Sequence, residues 1–144
     1  MNEKNIIKQF VIFKLENEEY GIDILRVKTI EKMSVITRVP KAPPYIKGVI
    51  TLRGEVVPII DLREKFNVKA TEESENTRII IIYVDDVTIG LIVDSVSEVT
   101  EIDSASIEES PEAVGNIEIS NICGIGKLND RIIILLDAYK ILNI

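Results

Sequence analysis

The chain of 144 residues has no histidine and no tryptophan, a single cysteine, and only three phenylalanines and four tyrosines. The missing histidines remove the commonest general base, the commonest imidazole metal ligand and any histidine phospho-acceptor. One cysteine, Cys123, closes no internal disulfide, which suits a cytoplasmic setting. Its apolar surroundings in "NICGIG" lead us to expect an inert, packed thiol. Basic residues are outnumbered, 17 Lys and Arg against 24 Asp and Glu, for a net charge of −7. A nucleic-acid binder would need a basic patch on that acidic body, and the few aromatic rings leave little for bases to stack on. No apolar run approaches the roughly 18 residues of a membrane span, and "MNEKNIIKQF" has no apolar signal core. No phosphate-binding glycine loop is present, because "GIGKLN" has the wrong spacing and leads into a strand. The acidic pairs Asp85-Asp86, Glu72-Glu73 and Glu108-Glu109 read as solvated turns rather than cation sites. No catalytic residue, metal site or cofactor is therefore expected.

What the chain does have is 28 isoleucines and 14 valines, side chains that suit pleated surfaces, so an all-β or mostly β fold is expected. It also repeats. "GVITLRGEVVPIIDLREKF" (48–66) lies over "GIGKLNDRIIILLDAYKIL" (124–142) at a shift of 76, matching Gly48 with Gly124, Leu52 with Leu128 and Asp61 with Asp137. At a shift of 69, Phe10 meets Ile79, Ile12 meets Ile81, Gly21 meets Gly90, Val27 meets Val96 and Ile30 meets Val99. The difference is absorbed between them, in 31–47 and 100–123. Two related lobes are expected, roughly 15–66 and 78–142, each a hairpin, a variable connection, a second hairpin and a short helix, with exchange of terminal strands between lobes. Leu52 and Leu128 are expected in the core.

Locally, "ENEE" joins strands over 8–16 and 18–24 with Phe10, Ile12 and Leu15 inward. Ile24, Val27 and Ile30 are three apart, which predicts a tight turn followed by a strand. "VPKAPPYIKG" is a rigid connection leading into a short helix around Pro44 to Gly48. In "DLREKF", Asp61 and Glu64 form a capping box for a short helix. Polar stretches at 67–77 and 103–120 read as loops, the second with one helical turn after Ser104.

Arg53 is harder to place. It sits with Gly54 at the tip of an otherwise apolar hairpin, and Asn129-Asp130 replaces that pair in the second repeat, so the turn does not require an arginine. On the residues alone, Arg53 reads first as a solvated turn charge and the periodic aliphatics as core. The alternative is a recognition surface.

The segments "EEYGIDILRV", "IKGVITLRGEVVPIIDLREKF" and "VDSVSEV" resemble the CheW family, coupling proteins of bacterial and archaeal chemotaxis, and the resemblance runs from about Lys8 to the end. It implies two five-stranded, SH3-like β-barrel lobes sharing a hydrophobic core, and no enzyme activity. It implies two partners, the cytoplasmic domain of methyl-accepting chemoreceptors and the CheW-like regulatory domain of the histidine kinase CheA. The implied localisation is cytoplasmic, with the membrane reached only through receptor arrays. Carried over by residue, the receptor-binding groove falls on Ile24, Val27, Ile30, Arg53, Val96 and Val99; the kinase-binding residues stay unassigned. Family members often have an acidic residue where Thr29 stands, with Glu31 on the same strand face as a substitute. The length leaves no room for an attached kinase or receiver domain, so a standalone coupling protein is expected. A module of another two-component array is the alternative, and a small nucleic-acid-binding barrel the remote one.

Overall fold

The structure, a computed structural model, describes residues 6–68, 72–108 and 122–142. The element order is β1 (Ile7–Leu15), β2 (Glu18–Asp23), a 3₁₀ turn (Ile24–Arg26), β3 (Val27–Lys32), β4 (Ile46–Leu52), β5 (Glu55–Asp61), α1 (Leu62–Lys65), β6 (Arg78–Val84), β7 (Val87–Val93), β8 (Ser95–Asp103), a second 3₁₀ turn (Ser104–Ser106), β9 (Ile107–Glu108), β10 (Ile122–Leu128), β11 (Arg131–Leu136) and α2 (Ala138–Leu142). The expected mostly β architecture is present as two mixed sheets. Sheet A has the order β8-β1-β2-β11-β10-β9, and sheet B the order β3-β6-β7-β5-β4. Each sheet takes one hairpin from each half of the chain, joined by a short parallel ladder, β11 with β2 and β5 with β7. The sixth strand of sheet A is the two-residue β9, which the repeat does not predict.

Four hairpins turn over two residues, and each places its first turn residue at positive φ: Glu16, Arg53, Asp85 and Asn129. At Arg53-Gly54 both residues lie there, with φ 51° and 84°, as a type I′ turn demands. This conformation suits Asn129 and Gly54; a long side chain such as Arg53 is uncommon in it.

The strands are apolar on both faces because both faces are covered. On β1, Val11, Phe13 and Leu15 enter a core shared by the two sheets, while Phe10 and Ile12 face a smaller cluster belonging to sheet A. On β6, Ile80, Ile82 and Val84 enter the shared core, while Ile79 and Ile81 face a cluster belonging to sheet B. The two strands thus use matched positions, 69 apart, in matched ways. Phe10, Ile12 and Leu15 are all buried, although they point to two faces rather than one. Phe13, Tyr20 and Phe66 stack in succession at centroid distances of 5.7 and 6.2 Å, so three of the few aromatics fill the centre of the shared core.

Four local expectations change. Pro44–Gly48 is not a helix: after one turn closed by the Ile46 N–H on the Pro43 carbonyl, the chain enters β4, because pairing with β5 satisfies more backbone groups than a lone helical turn. Asp61 does cap α1 by accepting the Arg63 N–H. Its own N–H goes to the Tyr45 carbonyl at 2.7 Å and Glu64 turns to Lys47, so the reciprocal half of the capping box is absent. Leu52 and Leu128 are half-buried against the two smaller clusters, not inside the core. Cys123 is exposed. It is the extra residue of a β-bulge in the β10–β11 ladder, as Lys47 is in the β4–β5 ladder 76 positions earlier, and a bulge turns its extra residue out of the pleat. Protein flanking the sulfur, and then the Asp137 carboxylate, push the thiol's pKa up. The helical turn after Ser104 is present. Residues 109–120 of the polar stretch lie outside the described residues.

Candidate functional site

The three-residue spacing of the aliphatic positions is explained by a second pair of bulges. β3 is an edge strand of sheet B and β8 an edge strand of sheet A. In the β3–β6 ladder Val27 faces Ile82 and Thr29 faces Ile81, so Lys28 is extra; Ile30 then faces Ile80. In the β8–β1 ladder Val96 faces Phe13 and Glu98 faces Ile12, so Ser97 is extra; Val99 then faces Val11. Lys28 and Ser97 are 69 apart, and the repeat therefore extends to the irregularity itself. Cross-strand partners share a sheet face. Without the bulge, residues three apart would point to opposite faces; with it, Val27 and Ile30 share the face of Ile80 and Ile82, and Val96 and Val99 that of Val11 and Phe13.

Both edges consequently present the same device. Val27 and Val96 are half-buried against the shared core, as is Ile24 in the first 3₁₀ turn. Ile30 and Val99, one step along, are 41% and 48% exposed. The structure thus brings Ile24, Val27 and Val96 to the margin of one core and leaves Ile30 and Val99 exposed in mid-strand on the two edge strands. Arg53 is placed differently. It lines a recess with Lys28, Thr29 and Glu55 on the other side of β3, where Lys28 and Glu55 pair at 3.7 Å. Thr29 and Glu31 do share a face, opposite Ile81 and Ile79.

Sequence reasoning missed two charged networks. Asp61, 1% exposed, accepts hydrogen bonds from Arg63 Nε and Nη2, each 3.0 Å, while Arg63 Nη1 donates to Asp94 at 3.1 Å. Asp94 also accepts the Glu16 N–H at 2.7 Å. This ties α1 of sheet B to the β1–β2 turn of sheet A, and the Asp61 hydrogen bond raises the Arg63 pKa further. Among the described residues, the equivalent corner of the other repeat has no buried ion pair of this kind. There Tyr139 of α2 carries the Arg26 guanidinium over its ring at 4.7 Å and donates to Asp85 at 3.4 Å. The repeat held the signal: Arg63 and Tyr139 are 76 apart, Glu16 and Asp85 are 69 apart.

In the second network Arg131 donates to Glu19 through Nε and Nη2 and to Glu98 through Nη2 at 2.7 Å. The Arg131 hydrogen bond holds the Glu19 carboxyl below its ordinary pKa of 4.5. A depressed carboxylate pKa stabilises the folded state above the unfolded value, and that contribution disappears as pH falls through the folded value. Arg131→Gln is therefore expected to flatten the loss of stability below pH 4.5, measured by urea unfolding at neutral and acid pH. An unchanged acid limb would mean the pair contributes nothing.

Among the described residues no group of three or more His, Cys, Asp or Glu is arranged to hold a metal ion, and no helix is long and apolar enough to cross a membrane. What the surface offers is aliphatic edge strands with a guanidinium nearby, chemistry suited to binding another protein.

A CheW-like domain model matches residues 9–144. The chain is 41% identical to the chemotaxis protein CheW of Klebsiella aerogenes, over 94% of this chain and 82% of that one. It is 40% identical to the chemotaxis protein CheW of Bacillus subtilis, over 94% and 87%. The crystal structure of the scaffolding protein TtCheW from Thermoanaerobacter tengcongensis superposes with a TM-score of 0.87 at 39% identity, covering 92% of this chain and 90% of that one. Matched by the family model over residues 9–144 and superposing on a CheW scaffold across 92% of its length, this chain belongs to the CheW-like domain family of chemotaxis scaffold proteins.

Proposed function

We propose that the protein is a cytoplasmic, non-enzymatic adaptor that bridges chemoreceptor cytoplasmic tips to the histidine kinase CheA, with the receptor held along Ile24, Val27, Ile30, Val96, Val99 and Arg53. The observation that carries this reading is the duplicated bulge. Two edge strands from different sheets each expose one aliphatic residue beside a second that is seated on the common core. An amphipathic helix docks by setting alternate-turn aliphatics against such walls. Rim charges give register, and a guanidinium suits that role because it bonds planar oxygen groups while its stem covers apolar surface.

The test titrates receptor cytoplasmic fragment and kinase regulatory domain separately against Ile30→Asp, Val99→Asp and Arg53→Asn. The first two residues are exposed enough for aspartate to leave the fold intact, and asparagine matches Asn129 in a turn of the same φ. Stability is expected to stay within about 0.5 kcal/mol of wild type for Arg53→Asn and to fall by about 1 kcal/mol for each strand aspartate. Receptor binding is expected to weaken by about 1–3 kcal/mol per substitution, with kinase binding retained. Undiminished receptor binding by all three variants would remove the groove assignment. A second readout is phosphate transfer from ATP-charged kinase, expected to leave this chain unlabelled.

A further inference from the structure

The internal repeat makes two equivalent seams, and they are filled differently. In sheet A, Glu98, Arg131, Glu19 and Asn129 occupy the places that Thr29, Glu55, Thr88 and Arg53 have in sheet B, at the same shifts of 69 and 76. The sheet A seam is closed by its own charges, Arg131 holding both carboxylates. The sheet B seam has no carboxylate at Thr29. In its place is a recess of about 110 Å³, lined by Lys28, Thr29, Leu52, Arg53, Glu55 and Thr88. Thr29 is part of its lining, and the Thr29 Oγ1 is buried without a hydrogen-bond partner, an arrangement that folded proteins rarely leave in place. Lys28 neutralises Glu55, so Arg53 supplies excess positive charge at the mouth.

We propose that this recess receives one acidic side chain from the binding partner, its carboxylate paired with the Arg53 guanidinium and hydrogen-bonded by Thr29, in the position that Glu98 holds within sheet A. The volume corresponds to about three or four waters, which suits a carboxylate with one or two methylenes. Arginine forms short, charge-assisted bonds to carboxylates. A rotamer step at Thr29 exchanges its hydroxyl and methyl, presenting the hydroxyl to the incoming group. Identifying the partner rests on the receptor-binding reading above; the carboxylate site does not.

The experiment titrates the full chain with propionate and, separately, with the neutral isostere propionamide, following the Thr29 and Thr88 methyl resonances and the Arg53 Nε–H. Saturable shifts at these three positions with propionate alone are expected. Arg53→Asn is expected to weaken propionate binding about tenfold or more, the loss of a charge-assisted pair. Thr29→Glu is expected to abolish it, because its own carboxylate fills the recess, and Thr29→Val, which keeps the shape and removes the hydroxyl, weakens it more mildly. Equal shifts with propionamide, shifts confined to other surfaces, or binding indifferent to Arg53→Asn would overturn the proposal. Such results would leave the receptor titration untouched. Conversely, a receptor fragment that fails to bind would sink the adaptor reading while the propionate result stood on its own.

Discussion

Asp61→Ala is expected to destabilise the protein by about 3–5 kcal/mol, the range for removing one partner from a buried ion pair. Asp61 and Arg63 are 1% and 7% exposed, and Asp61 accepts two of the guanidinium's hydrogen bonds as well as the N–H that begins α1. Without it, a buried charge keeps its desolvation penalty and loses its closest counter-charge. The comparison is Asp137→Ala, 76 positions on. Asp137 caps α2 through the N–H groups of Tyr139 and Lys140 but is not in a comparable ion pair, so a loss of about 1 kcal/mol is expected, the worth of an N-cap. Urea unfolding of the two variants measures the difference. Equal losses would show that the Asp61–Arg63–Asp94 network is no more than a cap.

Gly48→Ala is expected to be comparably severe, at about 3 kcal/mol or more, because two penalties combine. Gly48 has φ 146°, and a Cβ there would stand 2.1 Å from the Thr37 carbonyl oxygen. That oxygen accepts the Val49 N–H while Thr37 donates back to Val49, both at 2.8 Å, so relieving the clash means breaking the bridge that covers the β4 edge. Gly54→Ala also places a side chain at positive φ, 84°, yet a Cβ meets nothing within 4 Å; about 1 kcal/mol is expected from backbone preference alone. At Gly124, the repeat partner of Gly48, φ is unstrained and the nearest atoms are the Ile107 methyl at 2.7 Å and the Glu108 oxygen at 3.0 Å, so an intermediate loss is expected. Thermal melts of the three alanine variants should rank Gly48 far below Gly124, and Gly124 below Gly54. A Gly48→Ala protein that melts with wild type would mean that the Thr37 bridge moves aside freely.

The sequence by itself determined the features that a few neighbouring residues encode. Isoleucine and valine content made the fold mostly β, the two-residue turns followed from their polar pairs, and Asp61 announced the start of α1. The repeat was legible because each half must place apolar residues at the same points of the same hairpins, down to Val27 with Val96 and Ile30 with Val99. Only the tertiary structure decided which hairpin joins which. The parallel ladders β5–β7 and β11–β2 link segments remote in sequence, and the energy that selects them is the burial of both faces of every central strand, a sum over distant residues that no local pattern contains. The bulges at Lys28 and Ser97 were hidden for the same reason: a bulge is a mismatch between two strands, so it exists only once the partner strand is in place. Arg63, for which the local pattern of α1 held no special role, is a buried cross-sheet tie because Asp94 and the Glu16 turn close over it. Arg53 remained an exposed turn residue in every local respect; its relation to Thr29 arises where sheet B brings β3 beside the β4–β5 turn, with the recess between them.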